Sequence, residues 1–356
     1  MSFRGRVPAL FALAMGIVLV AIPVTTNLFG KASDVDDLTD SLRPVFADAA
    51  LDQADADMTA IEQMAAQLGG EAIPALAVQF GTTPEAFAQQ LGTDHPAVGA
   101  GMQQLDVILP YFRGIVDGLR AEAGDFRLAD AIPTKNLPAI VVPFLFLVPG
   151  LVLVAVALVA LRRPGSKLVV PVALAIGAVL VVAPLVLSVP AKTQAVDDLT
   201  DAFRPAFSEA GRATTHQHLD TVHAMIDQLT SDALPALADR LGMPVADFQA
   251  FLGENFPDVA SGLGDIDAIL GRFDGLVAGV DANASSFRGA DSIPTAGTDT
   301  TLLHWLFVVP GLVLLLGAAG LTAWGRVRNA AFTPGHVTSL GDEAPERGAQ
   351  VLDERG

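Results

Sequence analysis

The segment "HQHLDTVHAMID" gathers side chains able to ligate a metal. On a helix, His216, Asp220, His223 and Asp227 fall at i, i+4, i+7 and i+11, along one face. Two imidazoles and two carboxylates form a donor set that zinc accepts. The same spacing also describes a solvated polar face opposite Leu219, Val222, Ile226 and Leu229. Ligands from one helix seldom complete a tetrahedral shell, so the polar face is the preferred reading. No metal and no other cofactor is expected.

A second set of charged residues occurs twice. "VDDLTDSLRPVF" starts at Val35 and "VDDLTDAFRPAF" at Val196, 161 residues apart. A later pair, "FRLADAIPT" from Phe126 and "FRGADSIPT" from Phe287, keeps the same offset. Arginine and carboxylate can pair through two parallel hydrogen bonds. The expectation is therefore a clasp: Asp36, Asp37 and Asp40 around Arg127, and Asp197, Asp198 and Asp201 around Arg288. The alternative is solvated helix-face charge, which contributes little.

Catalytic patterns are missing. There is no glycine-rich phosphate loop ending in Lys-Ser/Thr, no G-x-S-x-G and no H-E-x-x-H. The chain has no cysteine, which removes disulfides, thiolate nucleophiles and Cys-metal sites. An enzyme is not expected.

The elements that must position these residues follow from hydropathy. The formal charge is −18, although 51% of the residues are hydrophobic. Four stretches carry no Asp, Glu, Lys or Arg: 7–30, 137–161, 168–190 and 302–325. Each is long enough to cross a bilayer as a helix, which takes about 20 residues. The first is longer than a signal-peptide core and lacks an A-x-A cleavage site, so it reads as an uncleaved signal anchor. Arg4, Arg6, Arg162, Arg163, Lys167, Arg326 and Arg328 flank the spans, and positive charge marks the cytoplasmic side. That puts the N-terminus 1–6, the turn 162–167 and the tail 326–356 in the cytoplasm. Segments 31–136 and 191–301 then lie outside, each with 17 acidic against 6 basic side chains. Such acidity repels phosphate backbones, so nucleic acid is excluded as a partner despite the helix-turn-helix-like "LADRLGMPVADFQAFL".

The offset of 161 also aligns Gly16 with Gly177, Lys31 with Lys192, Phe112 with Phe273 and "LVPGLVL" with "VVPGLVL". It predicts two tandem parallel repeats of span, helical hairpin and span. In each outer segment, apolar residues recur at helical period, as at Val35, Leu38, Leu42, Val45 and Ala49. The pattern predicts one helix over 34–68, kinked at Pro44 and ended by Gly69-Gly70. Two short helices and an antiparallel return helix follow. The tail, rich in Gly, Glu and Arg, reads as disordered. Abundant Ala, Gly, Asp and Val with scarce Lys, Tyr and Asn suggest a GC-rich bacterial genome.

These features predict an all-α integral membrane protein of the cytoplasmic membrane, multi-pass, with both termini cytoplasmic. The expected function is non-enzymatic: binding, sensing or scaffolding of cell-envelope components by the duplicated exported domains. The alternative is a small channel or transporter subunit that uses the interface between repeats. Expected partners are the lipid bilayer and other envelope or membrane proteins, and a homo-oligomer is compatible with the sequence.

Overall fold

A computed structural model describes residues 6–134, 137–163, 167–295 and 297–331. Residues 6–163 are called the first half below, and 167–331 the second. Among the described residues all regular structure is helical, apart from one isolated bridge between Thr134 and Leu137.

The first half begins with α1 (Val7–Thr25) and α2 (Leu28–Leu42), separated by Asn27 in a left-handed conformation. The second begins with α9 (Val169–Val186) and α10 (Val189–Phe207), separated by a left-handed Ser188. The apolar and acidic helices are thus distinct, and the expected span to residue 30 stops at Thr25. The predicted helix over 34–68 is broken, not kinked. Proline has no N–H to continue the ladder, and the chain turns after Leu42 into α3 (Asp48–Gln67). In the second half Pro205 stays within α10, and Ser208 caps α11 (Glu209–Gln228) by accepting from the Gly211 N–H.

Gly69-Gly70 does not end a helix either. Residues Leu68–Ala72 form a π turn that runs into α4 (Ile73–Gln79). Leu229–Ala233 does the same before α12 (Leu234–Arg240), with Thr230-Ser231 in place of the glycines. A proline follows both π turns, Pro74 and Pro235, and supplies no donor to the turn before it. The short helices α5 (Pro84–Asp94) and α13 (Val245–Asn255) come next. Thr83 caps α5 by accepting from the Ala86 N–H. The return helices are α6 (Pro96–Ala121) with α7 (Ala123–Ala129), and the unbroken α14 (Pro257–Ala290). The halves end in α8 (Phe144–Arg162) and α15 (Leu302–Ala331). Helix α15 therefore runs past residue 325 into the segment expected to be disordered, and residues 332–356 lie outside the described set.

Among the described residues four helices are long and apolar enough to cross a membrane: Val7–Thr25, Ala139–Arg162, Val169–Val186 and Leu302–Ala323. They pack as two close pairs. A Cβ on Gly16 would stand 2.8 Å from the Gly150 carbonyl, and one on Gly177 would stand 2.9 Å from that of Gly311. Small residues allow apolar helices this approach, which gives the two Pro-Gly pairs a packing role. Phe146 of α8 and Phe307 of α15 stack at 3.9 Å and join the pairs.

Outside the apolar helices, the long helices of each half pack on one another and also on those of the other half. Helices α3, α6, α11 and α14 share one core that includes Met58, Ile108, Leu219, Ile226 and Ile266. At its far end α4, α5, α12 and α13 form another common core. At the near end α2 packs Ala32, Val35 and Leu38 with Ala284, Phe287 and Ala290 of α14. Helix α10 packs Val196 and Leu199 with Phe126 and Ala129 of α7. Each acidic-phrase helix is thus covered by the return helix of the other half. Its apolar stripe specifies a partner surface without specifying which half supplies it.

Candidate functional site

The aspartates of the repeated phrase separate into different tasks. Asp36 accepts hydrogen bonds from the N–H groups of Ala139 (2.6 Å) and Ile140 (3.1 Å). Asp197 accepts from those of Thr300 (2.7 Å) and Thr301 (3.1 Å). Each carboxylate satisfies backbone donors that a helix start leaves unpaired, where negative charge is favoured. Asp37 and Asp198 are exposed. Asp37 helps hold the half-buried Asp34 carboxyl above its ordinary range, an effect due first to burial.

Arg127 does not meet Asp36, Asp37 or Asp40. It extends from the exposed side of α7 to Asp48. Arg288 donates its Nε–H to the Ala284 carbonyl one turn back. The two phrases are joined with the opposite polarity. Arg43, at the end of the first acidic phrase, grips Asp130 of "FRLAD" through Nη2 (2.6 Å) and Nε (3.3 Å). Arg204 grips Asp291 in the same way, at 2.6 and 3.4 Å. Asp40 and Asp201 supply second carboxylates to these arginines from one turn earlier. Asp130 and Asp291 follow the last residues of their helices, beside the phrase helices, whereas Arg127 and Arg288 point outward. The 161-residue offset also pairs Arg43 with Arg204 and Asp130 with Asp291, and that signal would have found them.

Lysines 31 and 192 were visible only as a matched pair. Lys31 donates to the carbonyls of Ser292 and Pro294, both at 2.8 Å. Lys192 donates to those of Ala131 and Pro133 at the same distance. Burial holds both ammonium groups below the usual lysine range. The far end is crossed likewise. The Gln67 side-chain carbonyl caps α14 at Asp258 and Val259, and that of Gln228 caps α6 at Ala97 and Val98.

The four metal-type residues do not converge. His216 pairs with Asp281 at 2.7 Å and His223 with Asp274 at 3.1 Å, both partners lying on α14. Asp220 and Asp227 are exposed. Among the described residues no group of three or more His, Cys, Asp or Glu is placed to hold a metal ion. The hydrogen bond from His216, then that from Arg212, holds the Asp281 carboxyl below its ordinary range.

Between the halves, Arg272 of α14 binds Asp57 of α3 through Nε and Nη2, the latter at 2.7 Å, and Gln53 adds a third hydrogen bond. Asp57 is only 4% exposed. At the positions 161 residues away the contact is aromatic: His218 of α11 lies 4.9 Å from the Tyr111 ring of α6. The Tyr111 hydroxyl shares a 2.6 Å hydrogen bond with Thr215. Next to Tyr111, a cavity of about 510 Å³ lies between the halves. Its walls come from the ends of α2 and α10, the start of α11, the C-terminal part of α6 and the middle of α14. Comparisons with family models, curated proteins and solved structures find no match to this chain.

Proposed function

We propose that the chain is a bacterial inner-membrane protein made of two copies of one unit, related by a pseudo-twofold axis along the membrane normal. Both acidic helical domains lie outside the cytoplasm, and together they bind, sense or scaffold a cell-envelope component without catalysing a reaction. The cavity between the halves carries this reading. It has the volume of a ligand site, and matched residues of both copies build it. The reciprocal lysine contacts and the Asp57–Arg272 pair hold the outer helices as one body around it. The alternative, a conduit between the repeats, is not favoured. The stacked Phe146 and Phe307, 0% and 3% exposed, fill the junction between α8 and α15.

Orientation is tested by single cysteines in this cysteine-free chain. At Gln89 or Gln249 they should react with an impermeant maleimide on intact cells, and at Ser166 they should not. The reverse pattern would overturn the reading. Photo-cross-linking from Gln89 in cells should then capture an envelope component, and capture of cytoplasmic proteins alone would count against the proposal.

A further inference from the structure

The inter-half cavity has walls that describe its occupant. Phe46 and Phe207, Phe112 and Phe273, and Leu119 and Val280 are pairs at the 161-residue offset, and all six line it. So do Gly114 and Gly118 of α6 and Gly275 and Gly279 of α14. Glycine inside a helix is destabilising relative to alanine, so an interior glycine calls for a reason. For Gly101 and Gly262 in these same helices the reason is close packing, because a Cβ there would run into Met225 or Met64. At the four cavity glycines a Cβ would meet nothing within 4 Å. They leave space that no other side chain fills.

The chemistry of the space is narrow. No Asp or Glu lines it, although the surrounding segments are strongly acidic. The polar lining is confined to Ser41, Tyr111, Arg212, Thr214 and Thr215, four of them close to the first turns of α11. Arg212 is the one charged lining residue. It pairs with Asp281 through Nη1, while its buried Nε has no hydrogen-bond partner. The cavity continues into a recess of about 270 Å³ that shares Val45, Leu119, Phe273, Gly275 and Leu276 with it and ends on the paired Asp57, Arg272 and Gln53. It also lies close to the apolar helices. The Asp36 cap fixes α2 beside the start of Ala139–Arg162, and Leu42 in the cavity wall is six residues further on, about 9 Å along a helix.

We infer that this cavity holds one long acyl chain, with Arg212 at its polar end facing a carboxylate or phosphate. An elongated, flexible and apolar occupant fits walls of aromatic rings and bare helix backbone. The one carboxylate of the recess, Asp57, is already held by Arg272 and Gln53 and is not free for a cation. The inference rests on the proposed placement of these helices outside the bilayer, where acyl chains lie within reach.

The test uses the full chain in lipid nanodiscs. A 16-carbon fatty acid with a mid-chain diazirine is added free in one arm. In the other arm the same chain is carried by a phosphatidylglycerol within the disc. After irradiation, peptides covering 111–119 and 273–280 should be labelled. A free-acid signal alone identifies a fatty acid as the source, and a phospholipid signal alone identifies a membrane lipid. Gly114→Leu with Gly275→Leu should reduce that labelling at least tenfold, while Gly264→Leu, on an exposed face of α14, should leave it unchanged. Gly114→Ala with Gly275→Ala serves as the folding control. It should raise the melting temperature and weaken labelling to a lesser degree. Label confined to the apolar helices in both arms, or label unaffected by the leucine pair, would overturn the inference. If the cysteines at Gln89 and Gln249 prove external while labelling fails, the acyl chain is rejected and the envelope reading stands. If those cysteines prove internal, the reading beneath the inference fails first.

Discussion

The two long seams of the outer bundle use the same four positions with their charges exchanged. In the first half the return helix carries the cation. Arg113 of α6 holds Asp55 and Glu62 of α3 at 2.7 and 2.6 Å. In the second half the return helix carries the anions. Asp274 and Asp281 of α14 receive His223 and His216 of α11. Arg120 of α6, 3.8 Å from Asp55, completes the set, and positions 55, 62, 113 and 120 correspond to 216, 223, 274 and 281 at the 161-residue offset. A seam therefore needs opposite charge across it and does not fix which helix supplies which sign. The exchange also changes the geometry: one guanidinium bridges two carboxylates in the first seam, whereas each histidine of the second meets a single aspartate.

The largest effect should come from the contact between halves. Arg272→Ala leaves the buried Asp57 carboxylate with Gln53 alone, and should destabilise the bundle by about 3 kcal/mol or more in denaturant titrations of nanodisc-held protein. Tyr111→Phe, at the position matching Arg272, removes one hydrogen bond and should cost about 1 kcal/mol. Equal losses would mean that the ion pair and the ring contact do the same job.

Within the seams, Arg113→Ala should cost about 1–2 kcal/mol, because one side chain, only 23% exposed, serves two carboxylates. His223→Ala should cost under about 0.5 kcal/mol, since it breaks a single exposed pair. A larger loss at His223 would reverse the ranking of the two seams.

Acid should act on both seams through their carboxyls. The hydrogen bond from Arg113 holds Glu62 below its ordinary range, and that from His216 does the same for Asp281. A carboxyl lowered in the folded state contributes stability at pH values above its unfolded pKa. That contribution is lost as pH falls through the folded value. Both seams should therefore hold at pH 5 and weaken below the usual carboxylate range. Arg113→Ala should move the acid-unfolding midpoint upward. His216→Ala should move it less, because Arg212 stays on Asp281. A larger shift in the histidine variant would show that Arg212 contributes little.

The smallest effect should be that of zinc. With each histidine committed to an aspartate on α14, added zinc should leave the melting temperature unchanged in the parent and in the His216→Ala, His223→Ala double variant. A rise in the parent that the double variant loses would show that the histidine seam can open to bind metal.

The four apolar helices and the all-helical character were legible in the sequence, since both depend on local period and hydropathy. The partners of the matched residues were not. Val35 and Leu38 announce a buried face, yet Ala284 and Phe287 of the other half cover it. Arg127 and Asp130 lie three residues apart, and only the docking of the short α7 decides which of them faces Arg43. The cavity was illegible for a related reason. Gly101 and Gly114 look alike in sequence, but one abuts Met225 and the other faces open space.

The lysine contacts carry a consequence for biosynthesis. Lys31 enters the nascent chain 263 residues before Pro294, the carbonyl it must reach. At roughly 5–20 residues per second, that partner arrives about 13–53 s later. Throughout that interval the earlier half has a polar, unfinished edge beside its first apolar helices, and only the arrival of residues 292–294 can close it. A ribosome stalled between the halves therefore releases a product with neither lysine contact made. Two separately translated halves, supplied together, should close each other's edges and restore the whole.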